Sequence, residues 1–268
     1  MCPHCRAFIT IKDRTCPYCQ ESVGPPAARQ PAEILGGFIP QVRFNTIIIL
    51  VINFGLYLAT SLFSLNGGRG GPIGLDNQTL FDFGAMYSPA VAAGQWWRLV
   101  TAGFLHGGLL HILMNSWVLF DLGAQVEEMY GASRMLVIYF LSNIAGFYVS
   151  YMMWRQAPSV GASAALFGLI GAMIALGMRH RSGFGAQIRA VYIRWLVYLL
   201  LFSLLPGVDL AAHVGGLAGG FAIAYLAGEP RLENSPTEKL WKVASWFCIL
   251  LTAVSFLNMY LWFSRAAQ

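Results

Sequence analysis

Charged side chains are scarce in this sequence: only 11% of its 268 residues are Asp, Glu, Lys or Arg, whereas 57% are hydrophobic. Soluble domains have about 25% charged residues, so the composition excludes an ordinary soluble protein and predicts an integral membrane protein. The net charge of +5 is divided among loops that would flank membrane segments. We therefore expect contact with a lipid bilayer and no binding of nucleic acid.

Cysteine is nearly absent beyond residue 19, where Cys248 alone occurs and is expected to be a packed thiol. The other four form two Cys-x2-Cys pairs: Cys2, Cys5, Cys16 and Cys19. Two such pairs suit one tetrahedral structural zinc ion. The tail resembles the zinc-ribbon family in a minimal form, with a short strand at 8–11. Disulfides, or a site that has lost its metal, are the alternatives.

The N-terminus lacks the hydrophobic core of a signal peptide, so we expect no cleavable leader. Residues 23–43 are rich in proline and glycine and lack a periodic apolar face, which predicts a mobile linker. We expect a zinc-ribbon-like domain at 1–22 and a six-helix membrane core at 44–228. A loop and a seventh, C-terminal transmembrane helix follow at 229–268.

Long apolar segments predict an all-α polytopic membrane protein. Crossing the hydrocarbon layer takes about 20 apolar residues in a helix. The predicted spans are 46–65, 109–122, 135–154, 160–178, 191–205, 210–227 and 243–263. The second is short and is expected to extend at both ends. No internal repeat is apparent in the sequence.

The distribution of Lys and Arg predicts the orientation. The chain has 17 Lys and Arg residues. With the N-terminus in the cytosol, all of them lie on the cytosolic side except four on the outer side: Arg69, Arg98, Arg155 and Arg265. The cysteine pairs then lie in a reducing compartment, where thiolates bind metal and do not pair. We expect a multi-pass protein of a bacterial plasma membrane.

Three apolar segments contain polar side chains near the same predicted depth. The second, fourth and sixth spans would all enter from the outer face, and each has polar groups near its start: His111 and Asn115, Ser163, and His213. Polar groups in membrane helices are expensive and usually functional. The arrangement predicts a reactive site one or two helical turns below the outer surface.

The residue types predict nucleophilic catalysis by a Ser-His dyad. Ser163 would be the nucleophile and His213 the base that takes its proton. Asp209 lies one turn above His213, at the edge of a loop, so we expect packing and not an acid to orient the histidine. His111 and Asn115 share a helix face and, with the Ser163 N–H, can donate to a developing oxyanion.

Packing is the alternative interpretation for each of these residues. Ser163 belongs to a strip of small residues, and Gly216 and Gly220 form a GxxxG face that lets the sixth helix approach the fourth. His111 and Asn115 could be ordinary interhelical contacts. His106, His111 and His213 could instead bind a metal, but no carboxylate or thiolate joins them.

Five motifs between Gln95 and Gly228 resemble the rhomboid family of intramembrane serine proteases. They are the pair Trp97-Arg98, FLHGGLLHILMN ending at Asn115, the GxxxE ending at Glu127, GASA around Ser163, and AHVGGLAGG around His213. The resemblance covers neither the cysteine pairs nor the last helix. Ala164 is a departure, because many members have glycine after the serine.

The resemblance implies a six-helix fold in which His111, Asn115 and Ser163 line the oxyanion hole. It also implies that Phe167 lies beneath the His213 ring. The expected function is a serine endopeptidase that cleaves transmembrane segments of other proteins and needs no catalytic cofactor. The alternatives are a non-catalytic rhomboid-like protein that binds transmembrane clients, and a transporter, which would have broken helices in related halves.

Overall fold

The computed structural model describes residues 43–68, 70–230 and 235–266, together with Cys5, Cys16 and residues 18–20. The chain divides into two compact units, Met1–Pro40 and Gln41–Gln268. The predicted strand at 8–11, Cys2 and residues 23–42 of the predicted linker lie outside the described residues.

The second unit is built from helices, and the described part of the chain contains no β-strand. The helices are α1 (Phe44–Asn66), α2 (Asn77–Asp82), α3 (Ser88–Ala92), α4 (Arg98–Thr101), α5 (Leu109–Val118), α6 (Ala124–Tyr130), α7 (Ala132–Met152), α8 (Ser163–Arg179), α9 (Gly183–Phe202), α10 (Leu210–Ala227) and α11 (Pro236–Ala266). A π-helical turn, Leu119–Gly123, joins α5 and α6 into one helix. Helices α2 to α4 belong to the first loop, defined here as residues 67–108.

Six helices of the described chain are long and apolar enough to cross a membrane. They are α1, the joined helix Leu109–Tyr130, α7, α9, α10 and α11. The protein is therefore a multi-pass membrane protein. The remaining apolar helix, α8, has 17 residues and is shorter than the other six. A total of seven spans accordingly stays a prediction.

Several predicted helix limits are wrong. The span predicted at 191–205 is α9, Gly183–Phe202. It starts early because Arg189 does not interrupt it: its guanidinium donates to the carbonyl of Gly177 at 2.5 Å. It ends early because Pro206 follows, and proline has no N–H with which to continue the helix. The helices predicted at 135–154 and 160–178 start and end at shifted residues, and the one predicted at 243–263 is longer.

Helix α8 lies at the centre of the bundle and is packed by α7, α9 and α10. The predicted glycine face of α10 is confirmed. A Cβ atom on Gly216 would lie 2.0 Å from the carbonyl oxygen of Ala164, and one on Gly220 would lie 2.1 Å from that of Gly168. Only glycine permits this approach of the two backbones, which brings the start of α10 beside the start of α8.

Two buried charged side chains hold the outer helices to this centre. The Glu127 carboxylate accepts hydrogen bonds from the N–H groups of Asn45 and Thr46, at 3.0 and 3.2 Å, at the start of α1. Arg134 on α7 forms a buried ion pair with Glu238 on α11. The carboxylate of Glu127 thus pairs with N–H groups that have no acceptor within α1. The carboxylate of Glu238 pairs with a buried guanidinium that would otherwise lack a counter-charge.

Candidate active site

Ser163 is the first residue of α8, and the segment before it is pinned to the first loop. Ser159 and Met86 exchange backbone hydrogen bonds at 2.8 and 3.0 Å, and the Gly161 N–H donates to the carbonyl of Ala102 at 3.0 Å. Because Ser163 starts the helix, its own N–H has no acceptor within the helix. This N–H and the positive end of the helix dipole are therefore available to a developing negative charge.

His213 lies in the first turn of α10, facing Ser163. Its Nε2 is 2.8 Å from the Ser163 Oγ, and its ring stacks on Phe167 with centroids 4.3 Å apart and planes 16° apart. Asp209 caps α10 by accepting from the Ala212 N–H at 3.1 Å. The structure thus brings the serine and histidine predicted from the sequence into hydrogen-bonding contact, with Phe167 beneath the imidazole.

The expectation that packing orients His213 is incomplete. The Nδ1 atom lies 2.6 Å from the hydroxyl oxygen of Ser203, which follows α9. Sequence reasoning missed this residue. A signal was present: Ser203 and His213 are ten residues apart across a short turn with Pro206 and Gly207, which puts the end of one helix beside the start of the next.

His111 lies on α5, on the other side of Ser163. Its Nδ1 accepts from the Gly107 N–H at 3.3 Å, so the ring proton of the neutral imidazole belongs on Nε2. A Cβ atom on Gly161 would lie 2.7 Å from His111 Nε2 and 3.5 Å from Ser163 Oγ. Gly161 has a φ of +129°, which also favours glycine. The missing side chain leaves a small space between an N–H donor and the serine.

Asn115 lies one turn further along α5 and is buried. Its Nδ2 donates to the carbonyl of His111 at 2.8 Å, and its Oδ1 forms no hydrogen bond within the described residues. The second Nδ2 hydrogen is not used by that contact. Asn115 therefore lies beside His111 with one donor still available.

One cavity of about 490 Å³ is lined by all four residues that the sequence predicted for the site: Ser163, His213, His111 and Asn115. Its other walls are largely apolar and include Met114, Phe147, Phe202 and Val208. A cavity of this size with a few convergent polar groups is typical of a substrate site. The catalytic roles of Ser163, His213, His111 and Asn115 stay predictions from their chemistry.

Comparison with known proteins decides the family. The chain matches the rhomboid domain over residues 93–230, about half its length. It is 35% identical over 184 residues to rhomboid-like protease 3 of Toxoplasma gondii, covering 66% of this chain and 68% of that protein. This chain belongs to the rhomboid family.

Relatives of this rhomboid protein differ in length and in activity. This chain is 36% identical over 171 residues to rhomboid protease GluP of Bacillus subtilis. The match covers 63% of this chain but only 32% of that longer protein. It is 34% identical over 143 residues to inactive RHOMBOID-like protein 8 of Arabidopsis thaliana, covering 52% of this chain and 41% of that protein. Membership of the family therefore does not by itself assign activity.

The Trp97-Arg98 motif of this rhomboid protein organises the first loop. Arg98 is fully buried and donates to the carbonyls of Phe81 and Ala85 at 2.7 and 2.9 Å. Its guanidinium also lies over the rings of Phe81 and Trp262. Burial lowers the pKa of Arg98 to about 10, so it remains charged at neutral pH. Its role is to hold the loop that pins the segment before Ser163.

The side chains of Asp209 and His106 lie near the site, but neither forms a hydrogen bond to the side chain of Ser163 or His213 in the described part of the chain. Asp209 accepts from Ser150 Oγ at 2.5 Å and lies 3.6 Å from the Arg155 guanidinium. His106 is fully buried, and burial, followed by the nearby His111, lowers its pKa to about 3. Among the described residues, metal-ligand spacing is found only for a cysteine group, so the histidine metal site gains no support.

That cysteine group contains Cys5, Cys16 and Cys19, whose sulfur atoms all lie within 4.8 Å of one another. The Cys5 and Cys16 sulfurs are 3.6 Å apart, much longer than the roughly 2.05 Å of a disulfide. Zinc–sulfur bonds of about 2.3 Å in a tetrahedron require sulfurs about 3.8 Å apart. The Cys5–Cys16 separation is compatible with a metal site, and Cys2 lies outside the described residues.

Proposed function

We propose that this chain is an intramembrane serine endopeptidase that cleaves transmembrane segments of other membrane proteins. The observation that carries the proposal is the 2.8 Å contact between Ser163 Oγ and His213 Nε2 inside a cavity of the bundle. Relatives named as proteases support the same reaction class. The presence of both dyad residues argues against the alternative, a non-catalytic rhomboid-like protein that binds transmembrane clients.

The first half of the reaction forms an acyl-enzyme. The Ser163 oxygen attacks the carbonyl carbon of the scissile peptide bond while its proton passes to His213 Nε2. The carbonyl oxygen becomes an oxyanion, for which the Ser163 N–H and the His111 Nε2–H are donors, with Asn115 as a third. When the tetrahedral intermediate collapses, His213 returns the proton to the leaving amine and the serine ester remains.

The second half releases the other product. A water molecule gives a proton to His213 and attacks the ester carbonyl, and the same donors stabilise the second oxyanion. Collapse breaks the bond to Ser163 Oγ, which regains its proton from His213. Every proton is exchanged between the substrate, water and these two side chains, so this reaction uses no cofactor.

Cleavage of a transmembrane reporter in proteoliposomes tests the proposal. Wild-type protein should cut the reporter, whereas Ser163→Ala and His213→Ala should each abolish cleavage while the bundle stays folded. The double variant should be no worse than either single one, because nucleophile and base act as a unit. A folded wild-type protein that binds the reporter without cutting it would support the client-binding alternative.

We further propose that the N-terminus lies in the cytosol of a bacterial cell and that Ser163 opens toward the outer face. The excess of Lys and Arg on the N-terminal side supports this orientation. A membrane-impermeant thiol reagent on intact cells should label a cysteine placed at the exposed Trp154 and not one placed at the exposed Ser182. The reverse pattern would contradict the orientation.

We also propose that the tail binds one zinc ion through Cys2, Cys5, Cys16 and Cys19. A segment of about 22 residues buries too little apolar surface to fold alone, so the metal would supply its stability. Elemental analysis of protein purified without chelator should find one zinc per chain, lost in Cys16→Ser and retained in Cys248→Ser. Zinc-free wild-type protein would refute the site.

The domain limits at 1–22, 23–43, 44–228 and 229–268 belong to the same proposal, and a chain that begins near Gly37 should still cleave.

A further inference from the structure

Ser203 links the end of α9 to the histidine of the dyad. Its hydroxyl oxygen lies 2.6 Å from the carbonyl oxygen of Leu199 and 2.6 Å from His213 Nδ1. Only 2% of Ser203 is exposed, so water competes little for either contact. The residue adjoins the cavity that contains Ser163.

If the Ser163 hydroxyl donates to His213 Nε2, as the proposed reaction requires, the groups around Ser203 have only one arrangement of donors and acceptors. For the Ser163 hydroxyl to donate to His213 Nε2, the neutral imidazole must have its own proton on Nδ1. That proton needs an acceptor, and the nearest is Ser203 Oγ. The carbonyl of Leu199 can only accept, so it takes the Ser203 hydroxyl hydrogen and leaves an Oγ lone pair for Nδ1–H. Each donor in the chain then has one acceptor.

We propose that Ser203 is a positioning residue, which selects the tautomer and ring orientation that make His213 a base. This inference rests on the proposed protease function. Ser203 acts through His213 and does not touch the reacting atoms, in the place where a Ser-His-Asp triad has its carboxylate. Asp209 does not serve instead, because its carboxylate is engaged by Ser150 and by the N–H of Ala212.

The size of the effect follows from the neutral acceptor. Changing the triad carboxylate to an amide lowers kcat by about 10⁴-fold, since the wrong tautomer is then favoured. Removing the Ser203 hydroxyl leaves no group that favours the wrong tautomer of His213. It removes one neutral buried hydrogen bond, which changes the equilibrium between the two tautomers by roughly ten-fold. We therefore expect about a ten-fold loss of kcat and little change in KM.

Two variants of the same shape test the proposal. Ser203→Thr keeps the hydroxyl and Ser203→Val replaces it with a methyl group, so any packing change is shared by the pair. The Thr variant should cleave near the wild-type rate, and the Val variant should lose about ten-fold in kcat with KM unchanged. Ser255→Ala is the matched control: Ser255 is buried and bonds back to Leu251 at 2.7 Å, and its loss should leave kcat unchanged.

Equal kcat values for the Thr and Val variants would overturn the inference, as would a loss confined to KM. A drop in kcat that follows a drop in melting temperature equally in both variants would show a structural role and would also overturn it. Should Val unfold the protein while Thr does not, Ser203→Ala replaces Val and must show the same kcat loss. Failure of the wild type to react at Ser163 would instead refute the protease proposal itself.

Discussion

The proposed Ser163–His213 dyad is surrounded by hydroxyl groups and an aromatic ring, and its membrane setting favours such partners. An ionised carboxylate taken out of water costs far more than a hydroxyl unless it is fully paired. In the described structure, His213 is flanked by Phe167 and two serine hydroxyls, whereas Asp209 lies a turn away with partners of its own. The side chains that hydrogen-bond to the buried imidazole are thus hydroxyl groups and not a carboxylate.

Asn115 should contribute to the transition state and little to substrate binding. We expect Asn115→Ala to lower kcat by about 10²-fold or less, since the His111 and Ser163 donors remain. KM should hardly change, because the bond forms mainly as the oxyanion develops. Single-turnover cleavage measures both quantities.

Asn258→Ala is the matched control for that measurement. Asn258 on α11 donates back to the carbonyl four residues earlier at 3.0 Å, as Asn115 does, but lies in a different helix from the dyad residues. An Asn115→Ala rate equal to that of the Asn258→Ala variant would make Asn115 a packing residue.

Asp76 caps the first turn of α2 by accepting from the Thr79 N–H at 2.9 Å, and it should give a pH-dependent contribution to stability. Burial alone would raise the pKa of its carboxyl, but hydrogen bonds from Thr79 and Ser64 outweigh burial and leave the pKa below 3.8. The stabilisation is therefore complete above pH 3.8 and is lost as the pH falls through the lowered value. We expect Asp76→Ala to reduce the free energy of unfolding by about 1 kcal/mol at pH 7, with the difference shrinking in acid.

Thermal unfolding of wild type and Asp76→Ala at a series of pH values measures this difference. Asp76→Asn is the control, because an amide oxygen caps a helix without titrating. The same difference between wild type and Asp76→Ala at pH 7 and in acid would show that the carboxylate charge is not involved.

At the residue scale, the sequence could predict which polar groups meet but not every partner they have. Ser163, His213, His111 and Asn115 were readable because polar groups stand out in apolar helices. Ser203 was not, because a serine at a helix end commonly bonds to its own backbone, and it does so here as well. Its second contact, with His213 Nδ1, depends on the turn between α9 and α10. The geometry of that turn cannot be predicted from the spacing of apolar residues.

At the element scale, the contact between α8 and α10 fixes the distance between Ser163 and His213. Gly220 is one of the close crossing points, since a Cβ atom there would also lie 2.4 Å from the Cα of Gly168. We expect Gly220→Ala to destabilise the bundle by about 1–3 kcal/mol and to lower cleavage, because separating the helices moves His213 from Ser163.

Gly55→Ala is the control for that substitution, measured by thermal unfolding in the same detergent. Gly55 lies in α1 with nothing within 4 Å of an added Cβ. Alanine has the higher helix propensity, so this variant should be neutral or slightly stabilised. Equal melting temperatures for the two variants would mean that α10 can shift without cost.

The helix limits show where element-scale prediction fails. Helix α10 starts and ends as predicted, because Asp209 caps its first turn and Gly228 follows its last. Helix α9 does not, since it begins at Gly183 and not at residue 191. Arg189 near its start is accommodated by the Gly177 carbonyl, and partners on other helices cannot be predicted from one segment.

At the scale of the whole molecule, a buried ion pair adds to the apolar contacts that hold α11 to the bundle. Arg134 is 2% exposed and Glu238 is 9% exposed; a second hydrogen bond between them measures 2.8 Å, and Trp241 lies against the guanidinium. Glu238→Ala would leave the arginine charge buried, which typically costs about 3–5 kcal/mol. We expect a correspondingly lower melting temperature.

The double variant Arg134→Met, Glu238→Leu should recover most of that loss, because apolar pairs often replace buried ion pairs without penalty. Lys239→Ala, at an exposed neighbouring position, should leave the melting temperature near that of the wild type. A Glu238→Ala protein as stable as the Lys239→Ala control would show that the pair does not hold α11.

Labelling of purified protein with a fluorophosphonate probe tests the central claim most directly, because the probe reacts only with an activated serine. The account predicts one adduct, mapped by mass spectrometry to Ser163, which is lost in His213→Ala and in Ser163→Ala. A folded wild-type protein that remains unlabelled, or labelling that survives in His213→Ala, would contradict the Ser-His dyad.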